Sequence, residues 1–118
     1  QEIALLDAQK GIEMFKKVNV PVAGIVENMS MHICSNCGHK EAIFGTDGGV
    51  QLAKEYETNV LATMPLEISI RENVDNGEPT VQSNPDSDIA KLYTGMAQNL
   101  IGFIEDNKGP DSVNISFE

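Results

Sequence analysis

The chain has 118 residues, and its 18 acidic and 8 basic side chains give a formal net charge of −10. That length suits a single domain, and a hydrophobic content of 41% is typical of a soluble globular protein. The negative charge would repel a phosphate backbone, which disfavours nucleic-acid binding. No apolar run approaches the ~20 residues needed to cross a bilayer, and the first residues do not resemble a signal peptide. We therefore expect no membrane association.

The chain has two cysteines, Cys34 and Cys37. A disulfide between them would close a very short loop and would stabilise the protein little. Secreted disulfide scaffolds carry more cysteines at wider spacing. The cysteine content therefore favours a reducing compartment, and we predict a cytoplasmic location.

The first half of the chain predicts a helix, a strand and a second helix separated by a long loop. Apolar side chains recur near one face over 2–17, which predicts a helix. Residues 20–27 are apolar and rich in β-branched side chains, which predicts a buried strand. Residues 28–45 have no period and predict a long excursion without regular structure. Thr46 is a suitable N-cap for a helix over 47–57.

The second half adds a strand and a long helix. Residues 59–64 predict a second strand, and the order strand, helix, strand predicts a parallel right-handed crossover. Residues 67–75 predict one or two helical turns, and 78–84 a loop. Pro85 suits the first position of a helix that runs to about residue 105. Two parallel strands with flanking helices define an α/β fold whose open strand edges indicate neighbouring strands elsewhere in the protein.

The segment Cys34-Ser-Asn-Cys-Gly38 carries the main chemical signal. Thiolates are soft ligands that zinc and iron–sulfur clusters favour, and Gly38 can adopt a positive φ that turns backbone N–H groups toward the sulfurs. The alternative is that both cysteines are ordinary loop thiols that bind no metal. His32 and His39, in the same segment, are predicted to be ordinary loop residues rather than ligands.

Three functions compete for the two cysteines. A redox pair usually opens a helix directly after a strand, whereas this pair lies in the middle of a loop. A structural zinc site needs about four ligands. The chain offers two cysteines, and His39 or His32 would have to supply the others. A four-iron cluster also needs about four thiolates, which two copies of the chain related by a twofold axis would supply. The cysteine count alone therefore favours a cluster bridging a homodimer.

Several segments, in order and with matching spacing over about residues 1–106, strongly resemble the Mrp/ApbC family of MinD/ParA-like P-loop ATPases. The segments are Val22-Ala-Gly-Ile-Val-Glu-Asn-Met-Ser30, Cys34-Ser-Asn-Cys-Gly38, Ile43-Phe-Gly-Thr-Asp-Gly-Gly49, Met64-Pro-Leu-Glu67, Ile70-Arg-Glu72 and Asp75-Asn-Gly77. The resemblance implies a homodimer that binds ATP and delivers a 4Fe–4S cluster, bridging its two subunits, to apo recipient proteins. Cys34 and Cys37 would be the metal ligands, with zinc as a possible substitute.

The resemblance also implies a nucleotide site. Asn28 would hydrogen-bond adenine, and Met64, Pro65, Leu66 and Glu67 would flank the base, with Glu67 replacing the family's usual Asp. The alternative for Asn28 is a turn bond that ends the strand. Arg71 would pair with an acid or face the nucleotide, and a solvated surface arginine is an equally good alternative.

No Walker A motif matches in this sequence, and the chain does not begin with Met. We therefore expect residues 1–106 to be the carboxyl-terminal portion of a P-loop ATPase domain, with the cluster loop at 28–45 and a flexible tail at 107–118. ATP and magnesium binding and ATP hydrolysis are expected of the full-length protein, and this portion alone should be inactive. A zinc-binding interaction domain and a CxxC thiol oxidoreductase remain the alternatives.

Overall fold

The computed structural model describes residues 1–107. Its elements in chain order are α1 Glu2–Lys17, β1 Ile25–Glu27, β2 His32–Ile33, β3 Lys40–Glu41, α2 Gly48–Glu55, β4 Val60–Thr63, α3 Ile68–Asp75, α4 Thr80–Ser83 and α5 Asp88–Asp106. Within these residues no helix combines the length and apolar character that a membrane crossing requires. Of the predicted flexible tail, only Asn107, the C-cap of α5, belongs to the described part.

The sheet that organises the fold consists of β1 and β4, which pair in parallel. Ile25 lies opposite Val60 and Glu27 opposite Thr63, and α2 lies in the connection between the two strands. This arrangement confirms the predicted α/β fold with two parallel strands and flanking helices. The parallel pairing brings the carboxyl ends of both strands to the same edge, where the candidate site residues follow.

β1 is shorter than the predicted strand over 20–27, since pairing begins only at Ile25. Its partner β4 has four residues, so residues before Ile25 have no strand beside them in the described part of the chain. Gly24 marks the start of close pairing, because a Cβ there would lie 2.7 Å from the carbonyl oxygen of Asn59. The prediction of a buried strand over 20–27 was therefore wrong for 20–24, where Val20 and Pro21 are exposed and 22–24 are half-buried.

The core is small for a chain of this length. Its buried apolar side chains are Ile12, Leu52, Ala53, Met64, Ile89 and Ala90. Leu52 and Ala53 form the buried face of α2, whereas the apolar stripe of α1 is largely exposed, with Ile3 at 68%. The described residues therefore leave much apolar surface uncovered.

The long excursion between β1 and α2 contains regular structure that the sequence analysis did not predict. β2 and β3 form an antiparallel hairpin, with His32 opposite Glu41 and Ile33 opposite Lys40. Each strand has two residues, which is too short for an alternating pattern to be recognised. The prediction of an irregular 28–45 segment was wrong at these positions.

The start of α2 also differs from the prediction. Asp47, not Thr46, is the N-cap, and it adopts φ +63° without a side-chain cap of its own. The capping acceptor comes from β1 instead, because Glu27 Oε1 accepts a hydrogen bond from the N–H of Gly49 at 3.3 Å. A carboxylate at this end also interacts favourably with the helix dipole.

The start of α5 lies three residues later than predicted. The helix begins at Asp88, and Ser87 Oγ accepts a hydrogen bond from the N–H of Ala90 at 3.1 Å. Pro85 instead lies in the preceding turn, in which Ser87 also donates its hydroxyl to the carbonyl of Asn84 at 2.8 Å. The start of α5 is therefore set by Ser87, whose hydroxyl both accepts from the helix and donates to the preceding turn, rather than by Pro85.

The predicted loop over 78–84 contains the short helix α4, Thr80–Ser83. Its first residue, Thr80, is buried and accepts a hydrogen bond from the side-chain amide of Asn73 at 3.1 Å. This contact joins α4 to α3, whose bounds agree with the predicted helical turns over 67–75.

Candidate metal centre

The tip of the β2–β3 hairpin places both cysteines in one tight turn. The N–H of Cys34 donates to the carbonyl of His39 at 2.9 Å, and the N–H of Gly38 donates to the carbonyl of Cys34 at 2.8 Å. Gly38 has φ +71°, a left-handed conformation that a residue with a Cβ adopts only with strain. The predicted positive φ of Gly38 is thus confirmed, and it lets the chain reverse directly after Cys37.

Cys34 is half-buried and Cys37 is exposed, and both thiols are free. The backbone N–H of Cys37 faces the Cys34 sulfur and is the main reason that the pKa of this thiol lies below its ordinary value. The backbone N–H of Asn36 and the thiol of Cys37 act in the same direction, while burial acts against them. Since the thiolate is the form that binds metals, this turn is suited to holding a metal at Cys34.

The described residues provide no complete metal site. Within 1–107, no three side chains of cysteine, histidine, aspartate or glutamate converge closely enough to hold a metal ion. The turn therefore presents two thiols as a pair, and neither histidine joins them in such a group.

The base of the hairpin is fixed to the end of β4 by a line of backbone hydrogen bonds. Both the N–H and the hydroxyl of Ser30 donate to the carbonyl of Met64 at 3.0 Å. The N–H of Leu66 donates to the carbonyl of Met31 at 2.8 Å, and the N–H of Ile33 donates to the carbonyl of Leu66 at 3.2 Å. The parallel pairing of the sheet thus continues past the strands and joins the cysteine hairpin to the Met64–Glu67 segment.

Ser30 and Glu27 are positioning residues that the sequence analysis missed. Ser30 holds the beginning of the excursion against β4, and Glu27 joins the last residue of β1 to the start of α2. Their partners lie 34 and 22 positions away in sequence. No local spacing rule could reveal contacts of that range.

Asn28, the predicted adenine ligand, is exposed directly after β1. Its Oδ1 accepts a hydrogen bond from the N–H of Met29 at 2.9 Å, which is the turn bond of the alternative interpretation. This bond leaves the side-chain N–H₂ as a donor. Asn28 lines a cavity of about 390 Å³ together with Glu27, Phe44 and the first residues of α2.

The other predicted adenine neighbours do not line that cavity. Met64 and Pro65 are buried, and Leu66 and Glu67 are half-buried. Pro65 and Glu67 line a different cavity of about 500 Å³, between the hairpin base and the start of α5. Glu67 Oε1 accepts a hydrogen bond from the hydroxyl of Ser69 at 2.6 Å. Backbone hydrogen bonds to Glu27 and Ser30 thus hold Met64 beside the turn at Asn28. Pro65 and Glu67 face the second cavity instead.

Arg71 pairs with acids on its own helix. Its Nη1 lies 2.9 Å from Asp75 Oδ2 and its Nη2 lies 3.4 Å from Glu72 Oε1, with the side chain 65% exposed. Arg71 is thus a surface arginine that pairs with acids, and an exposed pair of this kind contributes little stability.

Comparison with known proteins identifies the family to which this fold and hairpin belong. The family model described as "ParA: NUBPL iron-transfer P-loop NTPase" matches residues 1–101. The chain belongs to this family. The match includes the sheet, the cysteine hairpin and most of α5, and it agrees with the resemblance carried by the sequence motifs.

Two relatives illustrate the range of the family. The "Iron-sulfur cluster carrier protein" of Salmonella typhimurium is 60% identical over 100 residues, which are 85% of this chain and 27% of that protein. The "Iron-sulfur cluster transfer protein NUBPL" of Mus musculus is 52% identical over 101 residues, 86% of this chain and 32% of that protein. The chain therefore spans about a third or less of the length of these relatives.

A solved structure supports the P-loop NTPase fold. A nucleotide-binding protein from Archaeoglobus fulgidus, in complex with ADP, superimposes with a TM-score of 0.56 at 26% sequence identity. The match covers 73% of this chain and 34% of that chain. The α/β fold of this chain thus agrees with that of a nucleotide-binding protein.

Proposed function

We propose that the whole protein carries an iron–sulfur cluster and transfers it to apo recipient proteins, and that Cys34 and Cys37 bind the cluster. The observation that carries this proposal is the hairpin turn. It presents two thiols together, and backbone N–H groups lower the pKa of Cys34. Relatives that match 100 and 101 residues of this chain, at 60% and 52% identity, are named as a cluster carrier and a cluster transfer protein.

The cluster is a 4Fe–4S cluster shared by two copies of the chain. A cluster of this type takes about four thiolates, and each chain has two cysteines. Two hairpins related by a twofold axis would meet this requirement with four equivalent sulfurs. Zinc could occupy the same thiols as a substitute, because it also favours thiolate ligands.

The exposed position of the hairpin suits transfer rather than storage. Cys37 is exposed at the tip, and Cys34 is half-buried. Transfer requires incoming thiolates to replace the carrier's thiolates one after another, so the sulfurs and the iron must be reachable. A reducing compartment such as the cytoplasm would keep both thiols available.

The whole protein also binds ATP with magnesium, and Asn28 and the Met64–Glu67 segment contact the adenine. The side-chain N–H₂ of Asn28 fits a ring-nitrogen acceptor, since the Asn28 oxygen is already used by Met29. Met64 and Pro65 are buried, so Leu66 and Glu67 are the accessible part of that segment. The phosphates and the metal would be held by residues outside this sequence, and ATP hydrolysis would occur there.

The hydrogen bonds between the hairpin base and β4 link the two sites. Ser30 and Ile33 bond to the carbonyls of Met64 and Leu66, so a shift of the adenine-side segment would move the base of the hairpin. Different nucleotide contacts in two states would thus bias how the two hairpins meet and how firmly the cluster is held.

Anaerobic reconstitution with iron and sulfide tests the proposal. The wild-type protein should gain brown absorbance and become dimeric, and the Cys34→Ser/Cys37→Ser double variant should do neither. Ser35→Ala is the matched control, because it changes a side chain in the same turn without removing a thiol. Equal uptake of iron and sulfide by the double variant would overturn the proposal.

The same experiment separates the alternatives. Tight zinc binding with an unchanged oligomeric state would favour a zinc-binding interaction domain. Turnover of a dithiol substrate would favour a thiol oxidoreductase. The geometry disfavours the latter, because the cysteines lie at a hairpin tip rather than at a helix amino terminus.

A further inference from the structure

The two faces of the β2–β3 hairpin carry different side chains. Successive residues of a strand point to opposite faces. Ile33 and Lys40 lie opposite each other and line the cavity of about 500 Å³ beside α5, so their face is turned toward the body of the protein. Cys34 and His39 form the next pair, joined by the N–H···O bond of 2.9 Å. They therefore share the face that is turned away from the body.

His39 is the cross-strand neighbour of a cluster-binding cysteine. Directly opposite residues of an antiparallel pair have Cβ atoms about 4.5–5.5 Å apart. His39 is exposed, so its ring has room to turn toward whatever Cys34 binds. An imidazole carries at least one N–H donor whether it is neutral or charged.

We propose that His39 donates a hydrogen bond to a sulfur of the bound cluster, either the Cys34 thiolate or a neighbouring sulfide. His39 is then a positioning residue that tunes the cluster, not one of its ligands. The inference rests on the proposed function, and it assigns a specific role to one of the two histidines of the hairpin.

A donor of this kind changes the reduction potential of the cluster. Reduction adds negative charge, and a hydrogen bond to sulfur stabilises that charge, so donors favour the reduced form. Two copies of the chain would contribute two such donors to one shared cluster. Loss of His39 should therefore shift the potential to a more negative value.

His32 provides a matched control within the same hairpin. It lies on the same face, but it is two pairs further from the tip, opposite Glu41, and it adjoins Leu66 through an isolated bridge. His32→Ala and His39→Ala thus remove the same side chain from two positions on one face of the hairpin. Only the second is adjacent to a thiol across the strands.

The test is an anaerobic redox titration of the reconstituted whole protein, followed by electron paramagnetic resonance and visible absorption. His39→Ala should give a more negative potential than the wild type. His39→Gln, which keeps an N–H donor, should recover part of the shift, and His32→Ala should keep the wild-type potential. Recovery by glutamine distinguishes hydrogen bonding from a purely structural effect.

Two results would overturn the inference. One is a wild-type potential in His39→Ala. The other is that neither His39 variant assembles a cluster, whereas His32→Ala assembles it normally. That result would show that His39 is a ligand. Failure of the proposed function is distinguishable, since the wild-type protein itself would then take up no cluster, and the role assigned to His39 would fall with it.

Discussion

At the scale of single residues, the cysteine turn depends on the backbone as much as on the thiols. The spacing of Cys34 and Cys37 and the need for a glycine after them are visible in the sequence. The sequence also predicted that backbone N–H groups face the sulfurs, but it could not show which ones, because their direction depends on the fold of the turn. Two properties of this turn can be tested without any metal.

The first residue-scale prediction concerns the titration of Cys34. In metal-free Cys37→Ser protein the two backbone donors remain, so the pKa of Cys34 should stay below its ordinary value. The thiolate fraction at neutral pH should then exceed that of an unperturbed cysteine, and it should fall only as the pH is lowered through the depressed pKa. Alkylation by iodoacetamide as a function of pH should give a midpoint below that of the same variant unfolded in urea. Identical midpoints would show that the turn does not act on the thiol.

The second concerns Gly38. Gly38→Ala introduces a Cβ at φ +71°, although nothing lies within 4 Å of that Cβ, so the cost is conformational. A left-handed non-glycine residue costs about 1–2 kcal/mol, and urea denaturation should report a loss of this size in the free energy of unfolding.

Gly95→Ala is the matched control for Gly38. Gly95 lies inside α5, and a Cβ there also meets nothing within 4 Å. Because alanine is the better helix former, this variant should gain roughly 0.5–1 kcal/mol. Equal effects at the two glycines would contradict the assigned conformation of Gly38.

At the scale of elements, the sequence predicted the larger helices and the parallel pair of strands, because their apolar patterns extend over many residues. It missed the β2–β3 hairpin, whose strands have two residues each, and α4, which has four residues. It misplaced the starts of α2 and α5, where capping depends on Glu27 from another element and on the local turn at Ser87. Short elements and helix starts depend on contacts that no periodic pattern records.

The element-scale prediction tests the observed start of α5. Ser87→Ala removes the acceptor for the N–H of Ala90, and loss of such a cap costs about 1 kcal/mol of the free energy of unfolding. Ser87→Asp keeps an acceptor and should remain near the wild type. Ser83→Ala, an exposed serine that caps no long helix, should change the stability by less than about 0.5 kcal/mol. Urea denaturation measures all three, and a neutral Ser87→Ala would place the helix start elsewhere.

At the scale of the whole molecule, the described residues leave apolar surface and strand edges uncovered. β1 and β4 each have one strand neighbour in 1–107, and Val26 in β1 is 43% exposed. Unpaired strand edges favour association with another chain. The sequence predicted this openness correctly from the small number of strands, but it could not reveal how exposed α1 is, since an apolar stripe looks the same whether or not a partner covers it.

We therefore predict that the 118-residue chain self-associates even without metal. Sedimentation velocity at increasing concentration should detect oligomers in the metal-free chain. The Cys34→Ser/Cys37→Ser variant should form the same oligomers, because this association does not involve the thiols. A compact monomer at every concentration would contradict the prediction.

The chain alone should not hydrolyse ATP. Phosphate binding in this family needs a Gly-rich loop ending in Gly-Lys-Ser/Thr, and the present sequence has no such segment. Phosphate release by the 118-residue chain should equal that of a blank, with the whole protein as the positive control. Turnover by the chain alone would contradict the assignment of the catalytic residues to another part of the protein.

Native mass spectrometry of the anaerobically reconstituted protein tests the central claim most directly, because it counts chains, iron and sulfide in one particle. We predict a particle of two chains with about four iron and four sulfide atoms, absent from the double cysteine variant. A single chain holding a whole cluster, or the same particle formed without Cys34 and Cys37, would contradict the account.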